Sequence, residues 1–406
     1  MSFKQLYIPF LRQYLRFSSL SIKLLLFITI LIFLIGIKQI FSNKTSWCNP
    51  EQSLWWFCPW PGPETVCSWD EHFSKANPNN RSPAFYHKAL RSLSKRRSSF
   101  LFNNLTLTQC NESSLDLLIF IISKCSHGSI RQSIRRTWAN QHLLQQFFPD
   151  LHIKLLFLLD NDPQSTPKLI LEHQFYQDLV QVTNLPEQYD YVTQRESALY
   201  EFVVSRCQQT RFVFKTDDDI FINTILLLSK VRTLMNNVEM KDKTTKKYLM
   251  FGFPIEHGLV VRHSADLVGQ RYVITKDEYS CPRYPTFLSG FGYLMTVETC
   301  SLLFDAYVSD ERPFLLSDVY FTGLLAEMMQ IPRMKIIENV NYRYESQCNE
   351  EFFREKENSA LACAASNDHF DVKHSKGGDR SLMNDYNRYW TMLSDQYDVL
   401  RNDNVK

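Results

Sequence analysis

Charge of one sign is what this 406-residue chain lacks: 45 Lys and Arg stand against 43 Asp and Glu, and the basic residues are dispersed except for Lys95-Arg96-Arg97. Without a dense basic stripe there is no electrostatic footprint for nucleic acid, which is excluded as a partner. No Cys-x-x-Cys pair occurs among the 10 cysteines, so structural zinc is not expected either. Residues 1–23 hold Lys4, Arg12, Arg16 and Lys23 but no acid, and no small-x-small cleavage site follows the apolar run 24–37. That combination predicts a retained signal anchor rather than a cleaved signal peptide. Residues 1–23 are then cytoplasmic, 24–37 form the core of the span, and everything after Lys38 is luminal, a single-pass type II topology. The flanking lysines lengthen the short span by snorkelling.

What is present allows a sizeable core: 44% of residues are hydrophobic and 14% aromatic, enough for one large domain with appendages. The cysteines suit an oxidising compartment, although their pairing is not readable from spacing. Asn-x-Ser/Thr sequons at Asn43, Asn80, Asn104 and Asn111 cluster on the luminal side and are candidate glycosylation sites. Residues 38–112 read as a stem. Within it, Trp55-Trp56-Phe57-Cys58-Pro59-Trp60-Pro61-Gly62-Pro63 is too rich in proline for helix or central strand. It suits a disulfide-tied knot, with a sugar-stacking surface as the alternative.

From 113 to 406 the pattern becomes α/β: short apolar strands separated by helical stretches. Leu117–Ile122 is a continuous apolar run, as a doubly covered parallel strand requires. Ile153–Leu159 reads as the second strand and Phe212-Val213-Phe214 as the third. Between them Thr193-Gln194-Arg195-Glu196 has capping-box spacing and opens a helix that buries Leu199, Phe202, Val203 and Cys207.

The third strand runs into Lys215-Thr216-Asp217-Asp218-Asp219, and the chain turns apolar again at Ile220-Phe221-Ile222. Strand alternation places Asp217 and Asp219 on one face. At about 6 Å and an effective dielectric of about 20 their repulsion is roughly 2 to 3 kcal/mol, which a divalent cation would reverse. An acidic tripeptide is often only a solvated turn, but here it interrupts buried structure at the carboxyl end of a sheet strand, where open α/β sheets bind ligands. Arg131 and Arg135, at i and i+4 in Arg131–Trp138, share a helical face and suit a diphosphate through bidentate forks; a surface helix anchored by Trp138 is the plainer reading.

Taken together these segments resemble the β-1,3-glycosyltransferases of family 31. Arg131–Trp138 is similar to the family's R-x-x-I-R-x-T-W, and Lys215–Asp219 to its K-T-D-x-D. Tyr189, Thr193 and Arg195 fall where the family has Tyr, Thr and Lys; Tyr191 replaces Asn. Phe251–Pro254, Tyr284–Tyr293 and Ser317-Asp318-Val319-Tyr320 resemble three further motifs in the same order. The resemblance implies a GT-A type, Rossmann-like nucleotide-sugar-binding sheet flanked by helices, an inverting mechanism, and a UDP-sugar donor of galactose or an N-acetylhexosamine. It implies that Asp219 holds Mn2+ with His374 (His369 as the fallback), that Asp217 and Asp218 contact nucleotide or metal, and that Asp318 is the base. A plainer reading makes Asp318 a helix N-terminal acid. Arg131 and Arg135 would hold the nucleotide. The expected product is a β-1,3-linked glycan on protein or lipid, made at the Golgi membrane.

Two departures stand out: Ser317 where the family has Glu, and Leu288 where it often has Cys. Ser317 motivates a rival reading, a non-catalytic glycan-binding or chaperone-like member of the same fold. The donor sugar and the acceptor depend on pocket shape and are not readable from these motifs.

Overall fold

The computed structural model describes residues 100–103, 110, 114–237, 248–264, 269–310, 313–336, 348, 360–364 and 378–403, all within the compact unit Pro63–Lys406. The anchor 24–37, most of the stem with its Trp-rich segment, the four sequons, His369 and His374 lie outside the described residues. Among the described residues no helix is long and apolar enough to cross a membrane.

Strand β1 (Leu115–Ile122) is buried on both faces over almost its whole length, which is why its sequence is continuously apolar rather than alternating. From Leu117 onward its odd and even residues serve two cores. Leu118 and Phe120 pack with helix α4 (Val192–Arg206), while Leu117, Ile119 and Ile121 pack with α1 (Gly128–Arg136) and α2 (Gln141–Phe147). Strands β2 (Ile153–Asn161) and β3 (Leu179–Pro186), joined by α3 (Thr166–Tyr176), extend the sheet on one side of β1. On its other side lies β4 (Thr210–Asp217), also parallel, with Ile122 opposite Asp217.

Phe212–Phe214 is therefore the middle of the fourth strand in chain order, not the third. Strand β3 escaped the sequence reading because Gln181, Thr183 and Asn184 leave it neither an unbroken apolar run nor a regular alternation. The chain leaves β1 toward β2 and β3 and then returns to β1's opposite flank as β4. A crevice opens at such a reversal, between the carboxyl ends of β1 and β4.

After β5 (Ile220–Ile222) and α5 (Thr224–Asn236), β6 (Met250–Gly252) leads into the short pair β7 (Pro254–Ile255) and β8 (Phe287–Leu288). Strand β9 (Gly292–Thr296) inserts antiparallel between β4 and β6, and β10 (Arg333–Lys335) adds parallel to β6. The sheet order is β10-β6-β9-β4-β1-β2-β3, a mixed α/β fold with a parallel core, as the GT-A expectation requires. Strand β11 (Ala362–Ala364) pairs with β5, and α6 (Val297–Val308) and α7 (Gly378–Asp403) complete the helices that cover the two faces. Disulfides join Cys110 to Cys207 and Cys348 to Cys363, in keeping with an oxidising compartment.

The capping-box expectation fails. Helix α4 begins at Val192 with Tyr191 at its cap and no side-chain capping bond, so Thr193 already lies inside the helix. Its hydroxyl donates to the Phe314 and Leu315 carbonyls. Glu196 turns into the core, while Leu199, Phe202, Val203 and Cys207 are buried as expected.

Gly292 is required by close approach: a Cβ there would sit 2.7 Å from Cζ of Phe214, a ring with no exposed surface. Gly292→Ala is expected to cost about 1–3 kcal/mol through overpacking, measurable by denaturant unfolding. An unchanged midpoint would mean that the Phe214 ring yields freely.

Candidate functional site

Strand β4 ends at Asp217, and Asp218-Asp219 form the tight turn into β5. The turn keeps the alternation that the sequence implied. Asp217 and Asp219 are half-exposed on the accessible side, and Asp218 is buried. The Asp218 carboxylate accepts from the Ser123 hydroxyl at 2.6 Å and lies 2.9 Å from Nδ1 of His127, so it braces the loop after β1. Its backbone carbonyl accepts from the Tyr386 hydroxyl on α7.

Beneath the turn, Lys215 is buried, with Nζ 3.0 Å from Asp217, 3.9 Å from Glu196 and 3.2 Å from the Gly290 carbonyl to which it donates. Glu196 has no exposed surface and accepts from the Tyr200 and Tyr293 hydroxyls. Its Oε2 has no hydrogen-bond partner among the described residues, so Lys215 supplies its compensating charge. Burial pushes the Tyr200 and Tyr293 phenols well above their ordinary values, with Glu196 adding to the shift, so both remain donors. Glu196 escaped the sequence reading because it stood at the end of a supposed capping box. Its later neighbours at i+4 and on β9 come together only in the folded sheet.

Asp318 reaches this cluster from far along the chain. It caps the π-helical segment Val319–Leu325, accepting from the Val319 N–H at 2.8 Å. π-Helical turns recur at functional sites because they re-aim side chains. The Thr322 hydroxyl donates to the Asp318 and Leu288 carbonyls, and the Leu288 N–H donates back to it at 2.8 Å. Thr216 in turn binds the Phe291 carbonyl at 2.7 Å. These bonds stitch the end of β4, the Ser289–Gly292 turn and the Asp318 cap into one unit. Close packing continues at Gly290, whose Cβ would stand 3.3 Å from the Asp318 carboxylate.

The electrostatics favour proton uptake at this edge. Burial raises Asp318 above the ordinary carboxylate range; the Val319 N–H and Lys215 oppose that shift, and Glu196 reinforces it. Crowding by the surrounding protein likewise pushes Asp217 up to about 6, with Lys215 pulling it down and Asp219 pushing it up, although some 40% of its side chain is exposed.

The two arginines are placed differently from their expected use. Arg131 has no exposed surface: Nε and Nη2 make a bidentate pair with Glu172 on α3 at 2.9 and 2.7 Å, and Nη1 reaches Ser123 and the Lys124 carbonyl. Arg135 pairs with Asp178 through Nε at 2.7 Å and with Glu172, and lies between the rings of Phe157 and Tyr176. Burial alone would raise Glu172, but these guanidiniums hold its carboxyl below the usual range. The shared helical face is real, but it points at carboxylates from α3 and from the connection before β3, and only Nη1 of Arg135 lacks an acceptor among the described residues. Trp138 is the buried anchor of the plainer reading. Arg195 is similarly engaged, with Asp160 at the end of β2 and the Gln188 carbonyl.

For metal chemistry the site offers carboxylate oxygens from Asp217 and Asp219, a donor set that fits a hard divalent cation. Among the described residues no group of three or more metal-ligating side chains forms. His374, the expected further ligand, is not among them.

Residues 129–336, just over half of the chain, match the family model described as "Galactosyltransferase". The chain is 26% identical over 242 residues to "Beta-1,3-galactosyltransferase bre-2" of Caenorhabditis elegans, a match covering 57% of this chain and 64% of that protein. It is 28% identical over 243 residues to "Beta-1,3-galactosyltransferase 5" of Homo sapiens, covering 58% of this chain and 70% of the relative. Among solved structures it is similar to mouse "Xyloside xylosyltransferase 1", with a TM-score of 0.31 and 11% identity over 63% of this chain and 98% of that one. From the family match and the ordered motifs, this chain belongs to the galactosyltransferase family, family 31 of the glycosyltransferases.

Proposed function

We propose that the protein is an inverting glycosyltransferase that moves galactose or an N-acetylhexosamine from a UDP-sugar to a glycan hydroxyl on protein or lipid, forming a β-1,3 linkage. The observation that carries this reading is the convergence of Asp318, Lys215, Asp217 and Asp219 at the carboxyl end of β4, with Asp318 made more basic by burial. The proposed setting is the Golgi membrane, with the catalytic domain luminal.

In this reading the Asp318 carboxylate takes the proton of the acceptor hydroxyl as its oxygen bonds to the anomeric carbon. The bond from that carbon to the diphosphate breaks on the opposite side and UDP leaves. A single displacement inverts the anomeric centre, giving a β product from an α-linked donor. Lys215 and the Gly290 and Val319 N–H groups fix the carboxylate's environment without replacing its role as proton acceptor. Mn2+, held by Asp217 and Asp219, would supply charge stabilisation to the departing diphosphate. Asp218 acts behind them by holding the loop that ends β1.

Cation affinity should follow Asp217. Because its carboxyl in the metal-free protein sits near 6, protons compete with metal as pH falls through that value. Calorimetric Mn2+ affinity is therefore expected to be fully developed at pH 7 to 8 and to fall by about tenfold per pH unit below 6. A flat affinity between pH 5 and 7 would remove Asp217 from the ligand set. The overall function is tested by incubating the full-length protein with UDP-galactose, UDP-GlcNAc or UDP-GalNAc, Mn2+ and simple glycosides. Absence of both transfer and UDP binding would refute it, whereas UDP binding with no transfer to any acceptor would favour the non-catalytic rival that Ser317 motivates.

A further inference from the structure

A nucleoside diphosphate brings at least two negative charges into a crevice already lined by Asp217, Asp219 and Asp318. Of the cations named above, Arg131, Arg135 and Arg195 are committed to Glu172, Asp178 and Asp160, and Lys215 is buried between Asp217 and Glu196. Arg271 is different. It belongs to the short 3-10 turn Gly269–Tyr272, is exposed, and makes no ion pair with any carboxylate among the described residues. Its guanidinium is held over the ring of Tyr189 at 5.3 Å from the centroid.

Tyr189 ties that cation to the elements that build the site. It begins the turn Tyr189–Tyr191 that leads into α4, whose Thr193 is bonded to the Phe314 and Leu315 carbonyls just before Asp318. The same helix carries Arg195, bonded to Asp160 at the end of β2, and Glu196, 3.9 Å from Nζ of Lys215, so its first turn stands at the carboxyl end of the sheet. Nearby, Arg262 donates to the Ile274, Thr275, Tyr279 and Cys281 carbonyls at 2.7 to 2.8 Å, fixing the segment that follows.

We propose that Arg271, carried on the face of Tyr189, is the binding group for an anionic moiety, phosphate or carboxylate, of one of the two substrates. A guanidinium stacked on an aromatic ring keeps its edge donors free for bidentate contact with such an oxyanion. Two sources share this chemistry: the diphosphate of the donor, and an acidic group on the acceptor glycan. The inference rests on the transferase reading above.

The test compares full-length wild-type protein with Arg271→Ala, Arg271→Lys and Tyr189→Phe, by calorimetry with UDP plus Mn2+ and with p-nitrophenyl β-glucuronide against p-nitrophenyl β-galactoside. Arg271 is exposed, so an unchanged melting temperature is expected. If the diphosphate is the ligand, Arg271→Ala weakens UDP binding about 10- to 100-fold, Arg271→Lys restores part of it, and Tyr189→Phe, which keeps the ring, stays near wild type. If an acidic acceptor is the ligand, UDP affinity is unchanged and only the glucuronide is weakened relative to the galactoside. Unchanged affinity for all three probes in Arg271→Ala overturns the proposal while leaving the transferase reading intact. Wild-type protein that binds no UDP at all overturns that reading and this inference with it.

Discussion

Asp318→Asn is expected to lower kcat for transfer by about 10²- to 10⁴-fold, roughly 3 to 5 kcal/mol in the barrier, while UDP affinity in the presence of Mn2+ stays within a few-fold of wild type. Asparagine has the same shape and its Oδ1 still accepts from the Val319 N–H, so the cap of the π-helical segment survives and the fold should melt where the parent does. What it lacks is a lone pair basic enough to take a proton. The pH profile adds a second check. With a carboxyl raised by burial, the parent should lose activity on its acid limb at a pH above the ordinary carboxylate range, because the base must be ionised to act. Asp318→Asn should abolish that limb together with the activity. Transfer at the parental rate would mean that Asp318 is only a helix-capping acid.

Arg131→Ala is expected to cost about 3–5 kcal/mol of stability, the usual consequence of removing one partner of a buried, hydrogen-bonded ion pair. The substitution leaves Glu172 with Arg135 alone and removes the Arg131 donor from the Ser123 hydroxyl, the Cys125 carbonyl and the Lys124 carbonyl, the last of which keeps the His127 N–H. A melting temperature lower by something on the order of 10 °C follows. Arg131→Lys should rescue little, because an ammonium cannot replace a planar fork that serves Glu172 and the β1 loop at once. Coupling with Glu172→Ala in a double-mutant cycle would be large for this structural role. A guanidinium that served only a diphosphate would show the reverse: an unchanged melting temperature, weakened UDP binding and no coupling to Glu172. Melting curves and UDP titrations on the same samples separate the two.

These outcomes depend on features of unequal visibility in the chain. Strands β1, β2 and β4 were readable because burial on both faces demands unbroken apolar runs, and the sidedness of Asp217 and Asp219 was readable because alternation is a property of neighbouring residues. Strand β3 was not, since the adjacent polar residues Thr183 and Asn184 break both the apolar run and the alternation. The i, i+4 relation of Arg131 and Arg135 was equally local and correct, but what lies opposite their shared face is set by α3 and the connection before β3, some forty residues away. Thr193 and Glu196 carried a capping signature whose bonds the tertiary structure spends elsewhere, on the Phe314 and Leu315 carbonyls and on two buried phenols.

Local periodicity, composition and motif order sufficed to establish an α/β domain, an acidic turn ending a buried strand, and membership of the family. Tertiary structure alone decided that β9 runs antiparallel beside β4, that Lys215 is clasped between Asp217 and Glu196, that Arg131 and Arg135 face protein carboxylates, and that Asp318 arrives at the same edge. The reason is physical: secondary structure and sidedness follow from steric and hydrophobic preferences over a few residues. The partner of a charge is chosen by whichever segment the packed sheet brings within about 3 to 4 Å, and no spacing along the chain encodes that distance.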